Sequence, residues 1–378
     1  MKKSILIQAL GGTNWIGGLY YVKNMVFQLT LNDYIRENYE IVVYTTRENA
    51  DIFHDLKEKV RIIIAKYQSG KKAKIEKLFV YLAHSIKCVF PAKKNLNKIG
   101  ITSICWIPDF QHNRLPEMFS QRTIEERNKR YSNIATSGMP LILSSEDSVN
   151  DLGKFYTVRS NVYCVRFVSY ISEYIRNFSE SYVDSVLQKY KLRDQQYIVI
   201  MNQFWKHKNH IVALRAYEYL IKREMNNGLM LVMTGNLEDT RNPDYISEVK
   251  SIIYNSTVKD NVILLGFISR EEQIAIMKKA AFVIQPSLFE GWGTVVEDAK
   301  VLDKTILLSD IPVHREQMNE KCILFDPHDP VALADLIYQE SRKEHHDDVE
   351  KGIADMYKRA KEYSKGFEQL LRDLENKK

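Results

Sequence analysis

Two short stretches carry residues whose types and spacing could do chemistry on a phosphorylated sugar. The first is QPSLFEGWGTVVEDAKVLDKTILLSD, Gln285 to Asp310. An apolar run closes at Pro286, a loop holds Glu290-Gly291-Trp292-Gly293, and helical spacing resumes near Thr294. Glycines at such a junction let the backbone approach a ligand closely, and the first-turn N–H groups of a helix hold a phosphate. Glu290 can accept hydrogen bonds from sugar hydroxyls. Asp298, eight residues on, can take a ribose diol. A phosphate cradle between two carboxylates suits a nucleotide sugar. The second stretch, Asn202-Gln203-Phe204-Trp205-Lys206-His207-Lys208-Asn209-His210, follows another apolar run and brings cations for a diphosphate. His207 and His210 suggest a metal pair, but no Asp-x-Asp occurs in the chain and no third ligand is evident, so no metal site is expected. Thr234-Gly235 and Gly266-Phe267 close two further apolar runs; bordering a nucleotide and simply making a turn account for them equally well.

The elements that must position these residues are legible as short β-rich runs, each followed by helical periodicity. They start at Ile5, Ile41, Val60, Ile101 and Pro140 in the first half, and at Tyr197, Leu229, Asn261, Ala281, Thr305 and Cys322 in the second. Continuous apolar strands alternating with helices predict parallel sheets covered on both faces. The polar stretch from Ser172 to Gln196 divides them into two doubly wound α/β domains, Rossmann-like and facing a cleft where strand carboxyl ends place ligands. The expected organisation is an acceptor-side domain over residues 1–175, a donor-binding domain over 176–356, and a C-terminal helix over 357–378 that returns to the first domain.

The segment around Glu290 resembles the donor motif of family-four retaining glycosyltransferases (glycosyl transferases group 1, glycosyltransferase B fold), whose signature is Glu-Gly-aromatic-Gly with a second Glu eight residues on. Asp298 takes that second position with a shorter reach, and Glu297 precedes it. The resemblance implies donor contacts from Gly291, Trp292, Gly293 and Thr294, and backbone contacts from Gly235 and Phe267. The family's Gly-Arg-x(4)-Lys-Gly element aligns with Lys208 at its lysine and Gln203 at its arginine. A neutral amide does not replace a guanidinium fork, so Lys206 or His207 substitutes or one cation is missing. In the first half, Gly11-Gly12 and Gly17-Gly18 follow the first strand. Their spacing is not G-x-G-x-x-G, and the family's Gly-Gly loop selects Gly17 and Gly18 as donor contacts. The stretch Thr102 to Ser120 resembles the segment carrying the family's His-Asp; Pro108 stands at the histidine and Asp109 at the aspartate, with His112 close enough to restore an imidazole.

These resemblances imply an enzyme: a retaining, metal-independent hexosyltransferase without a resident cofactor. It would move a sugar from a UDP- or GDP-linked donor to a hydroxyl of a glycan or lipid-linked oligosaccharide in surface polysaccharide synthesis. Glu290, Lys208, His112 and Asp109 are the expected catalytic group. A nucleotide-sugar epimerase of the same fold and a non-catalytic sugar-nucleotide-binding partner subunit are the alternatives.

Composition bounds the setting. The 378 residues are 45% hydrophobic and 27% charged, ordinary for a soluble globular chain of two domains. MKKSILIQALGG faintly imitates a signal peptide, but no small-residue cleavage site follows it. No apolar run is long enough to span a bilayer, and four scattered cysteines without a C-x-x-C pair fit a reducing cytoplasm. The net charge of +6 is uneven: from Lys57 to Lys98 there are twelve Lys/Arg and two acids. Within it Ile75, Leu78, Phe79, Leu82, Ala83, Ile86, Val89 and Phe90 recur at helical spacing. That stripe packs on the sheet or lies on an anionic membrane surface, making the protein peripheral on the inner face. No nucleic-acid motif accompanies the charge.

Overall fold

The computed structural model describes residues 2–9, 16–171 and 173–376. Gly11 and Gly12 lie outside them. The chain forms two compact units, Met1–Phe110 with Glu125–Tyr170 and Met356–Lys378, and Gln111–Ile124 with Ile171–Asp355.

The first unit is built on parallel strands β1 (Lys3–Ala9), β2 (Tyr39–Thr45), β3 (Arg61–Ile64), β4 (Ile86–Phe90) and β5 (Thr102–Ser103), ordered β3-β2-β1-β4-β5. A three-stranded parallel sheet of β6 (Cys105–Trp106), β7 (Leu141–Leu143) and β8 (Val162–Cys164) completes it. Ile5, Leu6 and Ile7 are wholly buried, as expected for a central strand covered on both faces. The second unit holds β9 (Tyr197–Met201), β10 (Met230–Thr234), β11 (Val262–Gly266), β12 (Val283–Gln285), β13 (Ile306–Ser309) and β14 (Cys322–Phe325), in the order β11-β10-β9-β12-β13-β14. Every pairing in it is parallel. Chain order reverses between β9 and β12, so the segments leaving their carboxyl ends diverge and open a crevice.

Two differences from the sequence expectation matter. The apolar stripe of the basic segment is not one helix. The helix runs Gly70–Ala83, and Ile86, Val89 and Phe90 belong to strand β4. The helix turns Ala73, Val80 and Tyr81 inward and leaves Ile75, Leu78, Phe79 and Leu82 exposed, Phe79 and Leu82 at 74% each. The second difference is the segment Gln111–Ile124, which lies within residues 1–175 in sequence and belongs to the second unit in space. Arg241 explains it: its guanidinium stacks on Phe119 at 5.1 Å and bonds the Gln111 amide at 3.3 Å.

The last helix, Val349–Asn376, contributes its portion from Met356 onward to the first unit. There Phe367 packs edge-on to Phe90, Asn32 donates to Ser364 and Glu368, and Tyr34 and Tyr39 donate to Glu375. Lys3 above all, then Tyr34 and Tyr39, hold the Glu375 carboxyl down at about 2.

Candidate active site

The crevice in the second unit is lined by the segments that leave β9 and β12. Asn202 and Gln285, each one step past or at the end of its strand, exchange amide hydrogen bonds of 3.0 and 3.3 Å. A backbone bond from Leu288 N–H to His207 C=O at 2.8 Å joins the two loops. Between them Lys208 Nζ donates to Glu290 Oε1 at 2.6 Å. The same oxygen accepts from Gln285 Nε2 at 2.8 Å and Ser287 Oγ at 2.7 Å. Glu290 Oε2 accepts from none of the described residues. Glu290 is 8% exposed, so the loop that holds it does not present it to solvent. It is one half of a shielded ion pair, fixed by three donors, with one oxygen to spare.

The loop passes into the helix Thr294–Val301, capped by Gly293. Gln317, on the helix Pro312–Gln317, accepts from Gly293 N–H and donates to Gly293 C=O, both at 3.0 Å. A Cβ on Gly293 would stand 3.0 Å from Gln317 Oε1, so the glycine serves this close approach. Its N–H is committed to Gln317 and is not free for a phosphate. The first-turn N–H groups of Thr294, Val295 and Val296 have no intrahelical acceptor; those remain for an anion, while Trp292 is buried beside them.

Asp298 departs furthest from expectation. Its side chain is buried and both carboxylate oxygens are held by the Arg270 guanidinium, Nη1 to Oδ2 at 2.5 Å and Nη2 to Oδ1. It presents no open carboxylate to a ribose; the bidentate partner occupies it. Arg270 opens the helix Arg270–Lys279 behind a Ser269 capping box. Nothing in the motif announces it, although a cation one turn past the Gly266-Phe267 strand end was the available signal. Glu297 is equally buried and is bound by Lys300 and Gln317.

The other expected residues divide by unit. Gln203 Oε1 accepts from Asn236 N–H at 2.9 Å, which ties it to the loop after β10. Gly235 has φ +149, and a Cβ there would meet Asn202 C=O at 2.0 Å, so backbone crowding requires the glycine. Phe267 is 63% exposed. Lys206 is exposed, and its N–H donates to the buried Asp239. His112 is fully buried and lies in the second unit. Asp109 lies in the first and pairs with Arg127 at 3.6 Å, so these two neighbours in sequence fall in different units. Gly17 and Gly18 sit in the first turn of the helix Ile16–Leu29 rather than in a loop before it.

Three buried imidazoles surround Lys208, and sequence reasoning missed one. Burial, with Lys208 and Arg241 adding to it, pushes His207 well below the ordinary imidazole value. Burial and Lys208 push His210 down to about 3. His314 falls to about 4, burial outweighing the opposing pull of Glu290. His314 Nδ1 lies 2.9 Å from Ser309 C=O, which makes it the protonated nitrogen. Lys208 and Glu290 are therefore a charged pair set among neutral rings. Among the described residues no cluster of three or more His, Cys, Asp or Glu has the arrangement of a metal site.

Residues 185–367 match the family described as glycosyl transferases group 1. The O-antigen chain mannosyltransferase RfbU of Salmonella typhimurium is 22% identical over 214 residues, 50% of this chain and 59% of that protein. Thus the match spans somewhat over half of the curated relative's length. A glycosyltransferase from Rickettsia africae superposes with a TM-score of 0.66 at 14% identity, over 96% of this chain and 93% of that one. HepE of Anabaena, solved with UDP and glucose, gives 0.65 at 14% identity over 99% and 100%. Sucrose-phosphate synthase from Thermosynechococcus elongatus gives 0.67 at 13% identity over the full length of both. The fold is the glycosyltransferase B fold.

Proposed function

We propose, for a chain whose residues 185–367 are a glycosyl transferases group 1 domain, that it transfers a sugar from a nucleoside-diphosphate donor to a hydroxyl acceptor with retained anomeric configuration. The observation that carries this is the Lys208–Glu290 pair at the switch point of the β9–β14 sheet. Glu290 Oε2 is oriented by the three donors on its twin oxygen and accepts from a hydroxyl of the donor sugar. Lys208 and the first-turn amides of Thr294 to Val296 take the departing diphosphate, where preorganised donors act on developing charge. The bond from the anomeric carbon to the diphosphate oxygen breaks first. The acceptor oxygen then bonds that carbon on the same face, and its proton passes to the leaving phosphate. Asp298 acts on the ribose only by exchanging part of its contact with Arg270. The diphosphate's charge is met by cations of the chain, so transfer proceeds without a metal. HepE, solved with UDP and glucose, supports UDP as the donor nucleotide; GDP is the alternative.

The acceptor is a glycan or lipid-linked oligosaccharide of a surface polysaccharide, a reading supported by the name of the O-antigen mannosyltransferase. A specific observation supports an anionic membrane surface as a further partner. No described helix is long and apolar enough to cross one, yet Ile75, Phe79 and Leu82 stand exposed beside Lys71, Lys72 and Lys74. An anionic inner leaflet matches both the charge and the apolar side chains. Thermal denaturation with UDP, GDP and their monophosphates tests the donor assignment. A diphosphate at a hundred times its Kd stabilises by about 2.7 kcal/mol, a shift of several degrees; no shift with either diphosphate contradicts it.

A further inference from the structure

The charges around Lys208 do not close without a residue outside the expected set. Lys208 is neutralised by Glu290 at 2.6 Å, and Gln203, turned toward Asn236, offers no charge. A diphosphate leaving group carries about two negative charges that must be met in a shielded site. Besides the exposed Lys206, the nearby cation is Arg241, in the loop that follows β10. Its neighbour Asp239 is 3% exposed and accepts from Lys206 N–H at 3.1 Å, which ties Arg241's loop to the phosphate-side loop Gln203–Lys208. Asp239 is further occupied by Arg241 N–H and by the N–H and amide of Asn242. It meets the Arg241 side chain only through Nε, at 3.5 Å.

The Arg241 guanidinium stacks on Trp205 and on Phe119, each at 5.1 Å from the ring centre. Nη1 reaches the Gln111 amide at 3.3 Å. Nη2 has no hydrogen-bond partner among the described residues, and the side chain is 27% exposed. A planar cation gripped on two aromatic faces, with one terminal nitrogen open, is suited to an anion in one fixed orientation. Buried His207, depressed by both Lys208 and Arg241, stands within the field of the two cations. Lys206, Lys208 and Arg241 against Glu290 and Asp239 give the loop cluster a single net positive charge, and removing Arg241 cancels it.

We propose that Arg241 binds the diphosphate of the donor, providing the guanidinium that the Gln203 position lacks. This rests on the nucleotide-sugar reading above, and the experiment separates the two. Calorimetric titration of UDP, GDP, uridine and guanosine is run on the full chain, its Arg241→Gln variant, and the double variant Gln203→Arg with Arg241→Gln. The wild type binds one diphosphate. In Arg241→Gln that affinity falls at least tenfold while the matching nucleoside changes less than twofold, and adding Gln203→Arg recovers most of the loss. If Arg241→Gln is unstable, Arg241→Lys takes its place, keeping the charge without the fork and weakening the diphosphate several-fold. An unchanged diphosphate affinity overturns the proposal. An equal fall for diphosphate and nucleoside also overturns it, because Arg241 would then only hold Gln111 and Phe119 in place. A wild type that binds neither diphosphate overturns the underlying reading instead.

Discussion

The loop pair at Lys208 and Glu290 and the helix Gly70–Ala83 are both rich in charge, and they treat it in opposite ways. At the loops, a lysine 14% exposed and a carboxylate 8% exposed neutralise one another, and amide and hydroxyl donors complete the carboxylate. On the helix, Lys71, Lys72 and Lys74 stand in solvent next to four uncovered apolar side chains. Glu76 bonds the N–H groups of Lys66 and Tyr67, and Lys77 turns in to Gln8 at 3.0 Å. In the function proposed above, the shielded pair with its spare oxygen meets the donor sugar and the exposed basic, apolar face meets the membrane, so the proposal places substrate chemistry and location in different units.

The largest break expected is Glu290→Gln. It removes the charge facing the donor sugar and leaves Lys208 without a counter-charge, so turnover falls by roughly 10²–10³. Stability falls by about 1–3 kcal/mol, as for loss of a charged hydrogen-bond partner in a shielded site, and urea unfolding measures it. Wild-type kinetics in this variant would move the chemistry elsewhere. The helix gives the second test. The protein should sediment with phosphatidylglycerol vesicles at low salt, not with phosphatidylcholine ones. It should come off at 1 M salt, where the screening length is about 3 Å. Replacing Lys71, Lys72, Lys74, Phe79 and Leu82 by Ser should abolish sedimentation, at a stability cost within about 0.5 kcal/mol per substitution. A variant that still sediments refutes the membrane face.

The third test is on pH. His210 and His314 are held below the free imidazole value by burial. They are neutral in the fold and protonate more readily when it opens. Their stabilisation is complete above about pH 6.5. As pH falls from there toward about 4, each costs up to about 1.4 kcal/mol per pH unit. Urea midpoints between pH 7.5 and 5 should decline, and His314→Gln should flatten the decline. A flat wild-type profile would mean that these rings are hydrated.

The sequence made the β9–β14 sheet and the Lys208 and Glu290 loops legible because each buried strand is a short continuous apolar run ended by turn chemistry. It missed β4, IKCVF, because Ile86, Val89 and Phe90 extend the preceding helix's spacing and only Ser85, at φ 49, breaks it. Of the two settings offered for the helix's stripe, packing on the sheet is not the one found for Ile75, Leu78, Phe79 and Leu82. Ala73, Val80 and Tyr81 suffice to seat the helix on the sheet, so the larger apolar residues were left outside. In the site, spacing identified Asp298 but not its partner, since Arg270 comes from another strand end and pairing across a sheet leaves no local pattern. Arg241 and His314 escaped for the same reason. His112 was noticed, but not that its segment belongs to the second unit, where Arg241, over a hundred positions away, stacks on Phe119 of that segment.

The most direct test of the account is phosphorus NMR of the purified protein with a panel of UDP- and GDP-hexoses, in the presence of EDTA and of membrane lipid extract as acceptor source. The account predicts that free nucleoside diphosphate accumulates from at least one donor, that chelation does not stop it, and that Glu290→Gln does. Donors that remain intact over the whole panel, or release that needs added manganese, would contradict a metal-independent transfer at Lys208 and Glu290.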